Sequence, residues 1–189
     1  MNGRTLFHFR PILLGVAILI IQIRIAHLLA QSLPVKFERL DMEQGLSQST
    51  VFCTFQDRQG FMWFVTQLGL NRYDGYGFTV YKQNAFDSTS LSFNVVRTIH
   101  EDQDGMLWVG TEGGLNSYDR EKENFTRFLH EPQKPNTLSH NTIWAVYEDP
   151  TGVIWIGTEN GGLNKFDRKS KQFTRFVNDP KNPYSLSSN

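Results

Sequence analysis

The sequence predicts an all-β fold assembled from repeated four-stranded antiparallel units, and three observations predict it. The first is internal copying. A stretch that opens Leu-Ser and ends Tyr-Asp or Phe-Asp begins at Leu46, again at Leu91 and Leu138, and a fourth time at Leu186, where four residues remain. Trp63, Trp108 and Trp155 keep one phase, as do Gly60, Gly105 and Gly152, and Asp74, Asp119 and Asp167. The second observation is that each copy holds four short strand candidates separated by turn chemistry. The third is that the strands do not alternate: Val96, Ile99, Ile143, Trp144, Val146 and Tyr147 fall on no single face at period two. A sheet wetted on one side alternates, whereas a sheet covered on both faces need not. A fixed period of 45 to 48 residues with several strands per copy is the mark of propeller blades.

Taken in order, residues 46–90, 91–137 and 138–185 are three blades, and residues 186–189 start a fourth. In the second copy the strand candidates are Val95–His100, Met106–Gly110, Leu115–Tyr118 and Phe125–Leu129. Asp102-Gln-Asp-Gly105 joins the first two, with glycine where a tight turn needs a positive φ; Asp57–Gly60 and Asp149–Gly152 do the same in the other copies. Thr111-Glu-Gly-Gly114 leads into the third strand, and the third copy carries one more residue there. Tyr73-Asp74, Tyr118-Asp119 and Phe166-Asp167 close the third strands, followed by turns rich in Arg and Lys. The repeated tryptophans read as anchors between neighbouring blades, each burying on the order of 200 Å². Cys53 aligns with Thr98 and Ala145, a slot for a small side chain, and is expected to be buried and inert.

Residues 31–45 are a lead-in. Within them Phe37-Glu-Arg-Leu40 resembles the fourth strands Phe78–Tyr81, Phe125–Phe128 and Phe173–Phe176. Propellers close when a terminal strand completes the last blade, so 37–40 is expected to be a closing strand whose partner lies beyond Asn189. Three blades are fewer than the four to eight of a closed ring.

Residues 1–30 stand apart. Arg4 and Arg10 precede an apolar run from Pro11 to Ile23, which as a helix would span about 20 Å, short of a ~30 Å hydrocarbon core. Arg24 and His27 interrupt any longer span, and Ala30 offers a small residue for cleavage. A signal peptide is the better reading, with an uncleaved anchor as the alternative; either carries the repeats out of the cytoplasm.

The formal net charge is zero, and the repeats show no basic stripe, so nucleic acid is not expected as a partner. No catalytic, cofactor or metal site is expected. Asp102-x-Asp104-Gly105 lacks the final glutamate of a calcium loop, Thr111 standing there. The Gly113-Gly114 and Gly161-Gly162 pairs are not followed by Lys-Ser/Thr, and the histidines have no metal-ligand spacing. Carboxylates are plentiful and recur at turn positions from copy to copy, whereas a glycosidase pair would be singular. One position varies sharply in chemistry: Phe52, Arg97 and Trp144 occupy the same place in the first strand of each copy. That strand lines the central channel of a propeller, so these three are the candidate ligand-binding residues; the competing reading is a tolerant position between blades.

The motifs Leu-Ser-x-Asn-x-Val/Ile, Glu/Gln-Asp-x-x-Gly and Trp-x-Gly-Thr-x-x-Gly-Leu-Asn-x-Tyr/Phe-Asp resemble the two-component regulator propeller repeat from Leu46 to Asn189. The first copy departs from it, with Val65 in place of the glycine at 110 and 157 and Ser49 in place of the asparagine at 94 and 141. The resemblance implies a periplasmic sensor region, the N-terminal part of a hybrid two-component histidine kinase or of a relative with a diguanylate cyclase output. It further implies further blades of the same polypeptide as partners, the inner membrane as anchor through the full-length protein, a small saccharide as ligand, and a homodimer as one assembly. A secreted or periplasmic saccharide-binding propeller without signalling output is the alternative, and a propeller enzyme such as a lyase or quinoprotein ranks last.

Overall fold

The structure, a computed structural model, describes residues 36–189; the signal-peptide expectation for 1–30 lies outside the described residues. The chain divides into Met1–Arg39 and Leu40–Asn189. Of the first unit only 36–39 are described, without regular structure. Phe37 is exposed, and the expected closing strand 37–40 has no regular structure.

The second unit opens with a 3-10 turn, Met42–Gln44, capped by Asp41 and ended by Gly45 at φ 106°. Twelve strands follow: β1 Val51–Gln56, β2 Met62–Thr66, β3 Gly69–Tyr73 and β4 Phe78–Tyr81; β5 Val96–Glu101, β6 Leu107–Thr111, β7 Gly114–Asp119 and β8 Asn124–Phe128; β9 Ile143–Glu148, β10 Ile154–Thr158, β11 Gly162–Asp167 and β12 Gln172–Phe176. They form three four-stranded antiparallel meanders, β1–β4, β5–β8 and β9–β12. The strands of the second copy are displaced by about one residue from those read off the sequence, because the ladder continues into Glu101, Thr111 and Asp119.

Each blade is locked at its entry by a buried polar latch that accounts for two of the repeated motifs. In blade 2 the Ser92 N–H donates to Asn116 Oδ1 at 2.9 Å, and Ser92 Oγ and Thr111 Oγ1 lie 2.8 Å apart. The Asn116 amide donates to Ser92 Oγ and to the Val109 carbonyl. Ser47, Thr66 and Asn71 repeat this in blade 1, and Ser139, Thr158 and Asn164 in blade 3. All of these asparagines and threonines are buried, where an unpaired amide would cost ~1–3 kcal/mol. The asparagine of Leu-Ser-x-Asn ties blades 2 and 3 to the linkers before them: Asn94 accepts from the Gln83 N–H and Asn141 from the His130 N–H.

The blades meet through two apolar layers. Trp63, Val65 and Leu70 of blade 1 pack with Val96, Ile99, Leu107, Val109 and Tyr118 of blade 2. Trp108 and Leu115 of blade 2 pack with Ile143, Val146, Ile154, Ile156 and Phe166 of blade 3. Every tryptophan lies against the fourth-strand aromatic of its own blade, Trp63 with Tyr81, Trp108 with Phe128 and Trp155 with Phe176, at 5.7–5.9 Å between centroids. The first two also meet the third-strand aromatic of the next blade edge-on, Trp63 with Tyr118 at 5.4 Å and Trp108 with Phe166 at 5.2 Å. The middle blade, covered on both faces, has every residue of β6 buried.

A shared carboxylate holds the layers in register. Asp57 is fully buried as a side chain; its Oδ1 accepts the Gln59 and Phe61 N–H groups, and its Oδ2 accepts Trp63 Nε1 at 2.8 Å. Arg120 reaches across from blade 2 to the same Oδ2 at 2.7 Å and to Glu101 Oε1 at 2.8 Å. One junction later, Asp102 accepts from Trp108 Nε1 and from Arg168, which also binds Glu148 and Asp104. Glu101 and Glu148 complete each junction by accepting a turn N–H of the preceding blade, from Arg58 and Gln103. The turn motif Asp-x-x-Gly is therefore more than a turn: its aspartate joins two blades.

The first-copy departure at Val65 has a packing reason. A Cβ on Gly110 would lie 2.6 Å from Thr98 Cγ2 and 2.7 Å from Ile143 Cγ2. Blade 2 thus gives up a side chain where blade 3 presents the larger Ile143, whereas Val65 faces a layer that holds the smaller Val96.

Gly110→Ala is expected to destabilise the intact protein by about 2 kcal/mol through overpacking. Adding Ile143→Ala should make the double variant less unstable than the sum of the two, as a urea-unfolding double-mutant cycle would show. Arg120→Met should cost about 3 kcal/mol, because it strands two buried carboxylates, whereas Lys122→Ala, at an exposed pair, should stay within about 0.5 kcal/mol. Burial opposes ionisation of Asp57, but hydrogen bonds from Arg120 and Trp63 outweigh it and hold the carboxyl below its ordinary 3.8. Its contribution is therefore complete above that value and is lost as pH falls through the lower folded one. The urea midpoint should drop as pH falls below about 4, less steeply in Asp57→Asn.

Candidate functional site

The three candidate residues share a backbone feature that the sequence did not disclose. Each first strand has six residues against five in its neighbour. Val51 pairs with Thr66 and Cys53 with Val65, so Phe52 has no partner of its own. Likewise Val96 and Thr98 flank Arg97, and Ile143 and Ala145 flank Trp144. All three are the extra residue of a β-bulge, a device that bends the strand and re-aims one side chain. The bulge also explains the broken alternation. Val96 and Ile99, and Ile143 and Val146, are buried three residues apart because one residue between them is outside the ladder. Coverage on both faces accounts for β6; in the first strands the bulge is the cause.

The structure brings the three side chains together. The Arg97 guanidinium lies 5.0 Å from the Phe52 ring centroid and 4.9 Å from the Trp144 ring centroid, so one cation sits between two aromatic groups from neighbouring blades. Each such contact is worth about 0.5–1 kcal/mol where water has access. Glu112, at the end of β6, accepts from Arg97 Nε at 3.0 Å and from Nη2. Glu112 was not among the sequence candidates. It shares its register with Gln67 and Glu159 and becomes an arginine partner only because the bulge turns Arg97 toward it.

Phe52 is 38% exposed and Trp144 50% exposed, while Arg97 is half-buried between them. With its charge balanced by Glu112, this row offers flat apolar faces and a planar guanidinium edge. Such a surface offers stacking contacts, and its arginine stays protonated. Cys53, beside the bulge, is half-buried rather than fully buried, because among the described residues blade 1 has a neighbouring blade on one face only. Burial pushes its thiol upward despite a hydrogen bond from the Ile99 backbone, which keeps it a weak nucleophile. Among the described residues no group of three or more His, Cys, Asp or Glu is placed to hold a metal. A cleft of about 350 Å³ between blades 2 and 3 is lined by Trp108, Phe128, Phe166 and Arg168 among others, side chains already engaged in the blade junction.

Four-stranded meanders stacked face to face, with their first strands adjacent, define a β-propeller array. The profile of the two component regulator propeller family matches residues 45–67, 90–113 and 137–160, one match per blade. The likeness to that family is carried by these three repeats. A histidine kinase of Formosa agariphila, Histidine kinase P4, is 43% identical over 63 residues, which are 33% of this chain and 5% of the relative. Among solved structures, the extracellular domain of a protein described as a hybrid two component system of B. thetaiotaomicron superposes with a TM-score of 0.69 at 32% identity. That match covers 74% of this chain and 20% of the other. Virginiamycin B lyase of Staphylococcus aureus, at 17% identity and a TM-score of 0.55 over 79% of this chain and 48% of the lyase, shares the fold. The chain thus spans a small part of the length of its two-component relatives.

Proposed function

We propose that these blades belong to the extracytoplasmic sensor region of a two-component signalling protein and that the Phe52–Arg97–Trp144 row contacts its ligand. The observation that carries the ligand site is the bulge. It releases one side chain per blade from the ladder, and those three positions gather into one stack while their chemistry differs from copy to copy. The sensor role is supported by the family repeats and by the likeness to an extracellular domain of a two-component system.

The ligand class that fits is a small saccharide, whose C–H faces stack on exposed aromatic rings. Bound across Phe52, Arg97 and Trp144, it would touch three blades at once and favour one arrangement of them over another. The signal is then a population shift, limited by the ligand's differential affinity for the two arrangements. The remainder of the polypeptide would supply an inner-membrane anchor and a histidine kinase output; no catalytic step is assigned to residues 36–189.

Titration of the intact protein with a panel of neutral oligosaccharides, read by tryptophan fluorescence, tests this. For a sugar that binds, Trp144→Ala should weaken affinity by at least about tenfold, equivalent to ~1.4 kcal/mol, and Phe52→Ala by less, with the urea midpoint little changed. Unaltered affinity in both variants would remove the row from the ligand site.

A further inference from the structure

The two blade junctions share their carboxylate and their tryptophan but differ in what lies beside them. In the first, the Arg72 side chain runs between blades 1 and 2. Its guanidinium lies 5.0 Å from the Phe61 ring centroid and 5.9 Å from that of Tyr81. It pairs with Glu123 at 2.9 Å and donates to Tyr118 Oη at 3.3 Å. Tyr81 and Tyr118 are themselves joined hydroxyl to hydroxyl at 2.7 Å. This junction therefore holds a planar cation between rings, hydroxyls and a carboxylate.

In the second junction each of these groups is exchanged. Arg72 pairs across the ladder with Trp63, and the residue that pairs with Trp108 is Ser117. Phe128 and Phe166 stand for Tyr81 and Tyr118, without hydroxyls, and Met106 stands for Phe61. Lys171 stands for Glu123, in the same turn position at φ 56° and 51°. Serine leaves the place of the guanidinium unfilled by any side chain, and that place is the cleft of about 350 Å³ between blades 2 and 3. Its size falls within the ~300–1,000 Å³ of small-molecule pockets. Trp108, Phe128 and Phe166 wall it with ring centroids 5.2–5.8 Å apart, and Met106 adds a thioether suited to a ring edge. The charges around it are mostly answered within the chain. Arg168 pairs with Asp102, Asp104 and Glu148, and Asp119 with Lys122. Lys171 lines the cleft with no ion-pair partner among the described residues.

We propose that this cleft binds a small aromatic monoanion, its ring lying where Arg72 lies in the first junction and its carboxylate on Lys171 Nζ. The ring gains edge and face contacts with the three aromatic side chains. A cation of the kind the first junction holds is disfavoured: Met106 has no π face, the tyrosine hydroxyls are gone, and Lys171 repels where Glu123 attracted. The site shares no residue with the Phe52–Arg97–Trp144 row and does not depend on the ligand reading given for that row.

Isothermal titration calorimetry of the intact protein with three probes of one shape tests it: naphthoate, neutral naphthalenemethanol and cationic naphthylmethylammonium. Naphthoate should bind about threefold more tightly than the alcohol, the scale of one exposed ion pair, and the ammonium most weakly. Lys171→Glu, which installs the residue blade 2 carries in that turn, should reverse the order of naphthoate and ammonium. Ser117→Arg restores the side chain of the first junction and should weaken all three probes at least about tenfold. Ser117→Met fills the same space without a second charge beside Lys171 and should act alike if Ser117→Arg does not fold. Trp144→Ala should leave naphthoate binding unchanged. No saturable binding of naphthoate at millimolar concentration overturns the site. Binding that survives the folded Ser117 variant, or is lost in Trp144→Ala, places the probe elsewhere and overturns it as well. An order of affinities unmoved by Lys171→Glu overturns the anionic ligand.

Discussion

The aspartate that closes the first hairpin of each blade is the constraint on which the rest depends. Asp57 and Asp102 are buried carboxylates that accept two turn N–H groups, one indole N–H and one guanidinium. Taking a carboxylate out of water costs several kcal/mol unless it is fully hydrogen-bonded and paired. Here the pairing comes from a different blade. The folding of a hairpin and the docking of its neighbour are thereby coupled: the carboxylate is completely satisfied only when the next blade is seated and its arginine has arrived. The tryptophan is fixed by the same atom, so the polar and apolar halves of the junction share one register.

A scaffold fixed this firmly at the periphery leaves the inner strands free to vary. The bulge in β1, β5 and β9 takes one residue out of the pairing in each blade, and no neighbour dictates its chemistry. Phenylalanine, arginine and tryptophan stand there in turn and stack across the blades. Adjacent positions are not free: Cys53, Thr98 and Ala145 pair with Val65, Gly110 and Gly157, and in blade 2 a Cβ on Gly110 would meet Thr98 at 2.6 Å. A repeated structural unit thus carries a non-repeated surface.

The period, the phase of the tryptophans and the turn residues determined the architecture without coordinates, because each reports a local requirement: a positive φ, a strand length, a large anchor once per unit. Phe52, Arg97 and Trp144 could be singled out for the same reason, as unlike residues in like positions. Only the tertiary structure decided what they do together. A bulge is a property of the pairing between two strands, and no pattern within one strand reveals it; the absent alternation had a different cause in β5 and β9 than in β6. The partners Asp57–Arg120, Asp102–Arg168 and Arg97–Glu112 were likewise hidden. They join residues 63, 66 and 15 positions apart; the first two meet only when one blade closes over the next, and the third only when β5 pairs with β6 around its bulge.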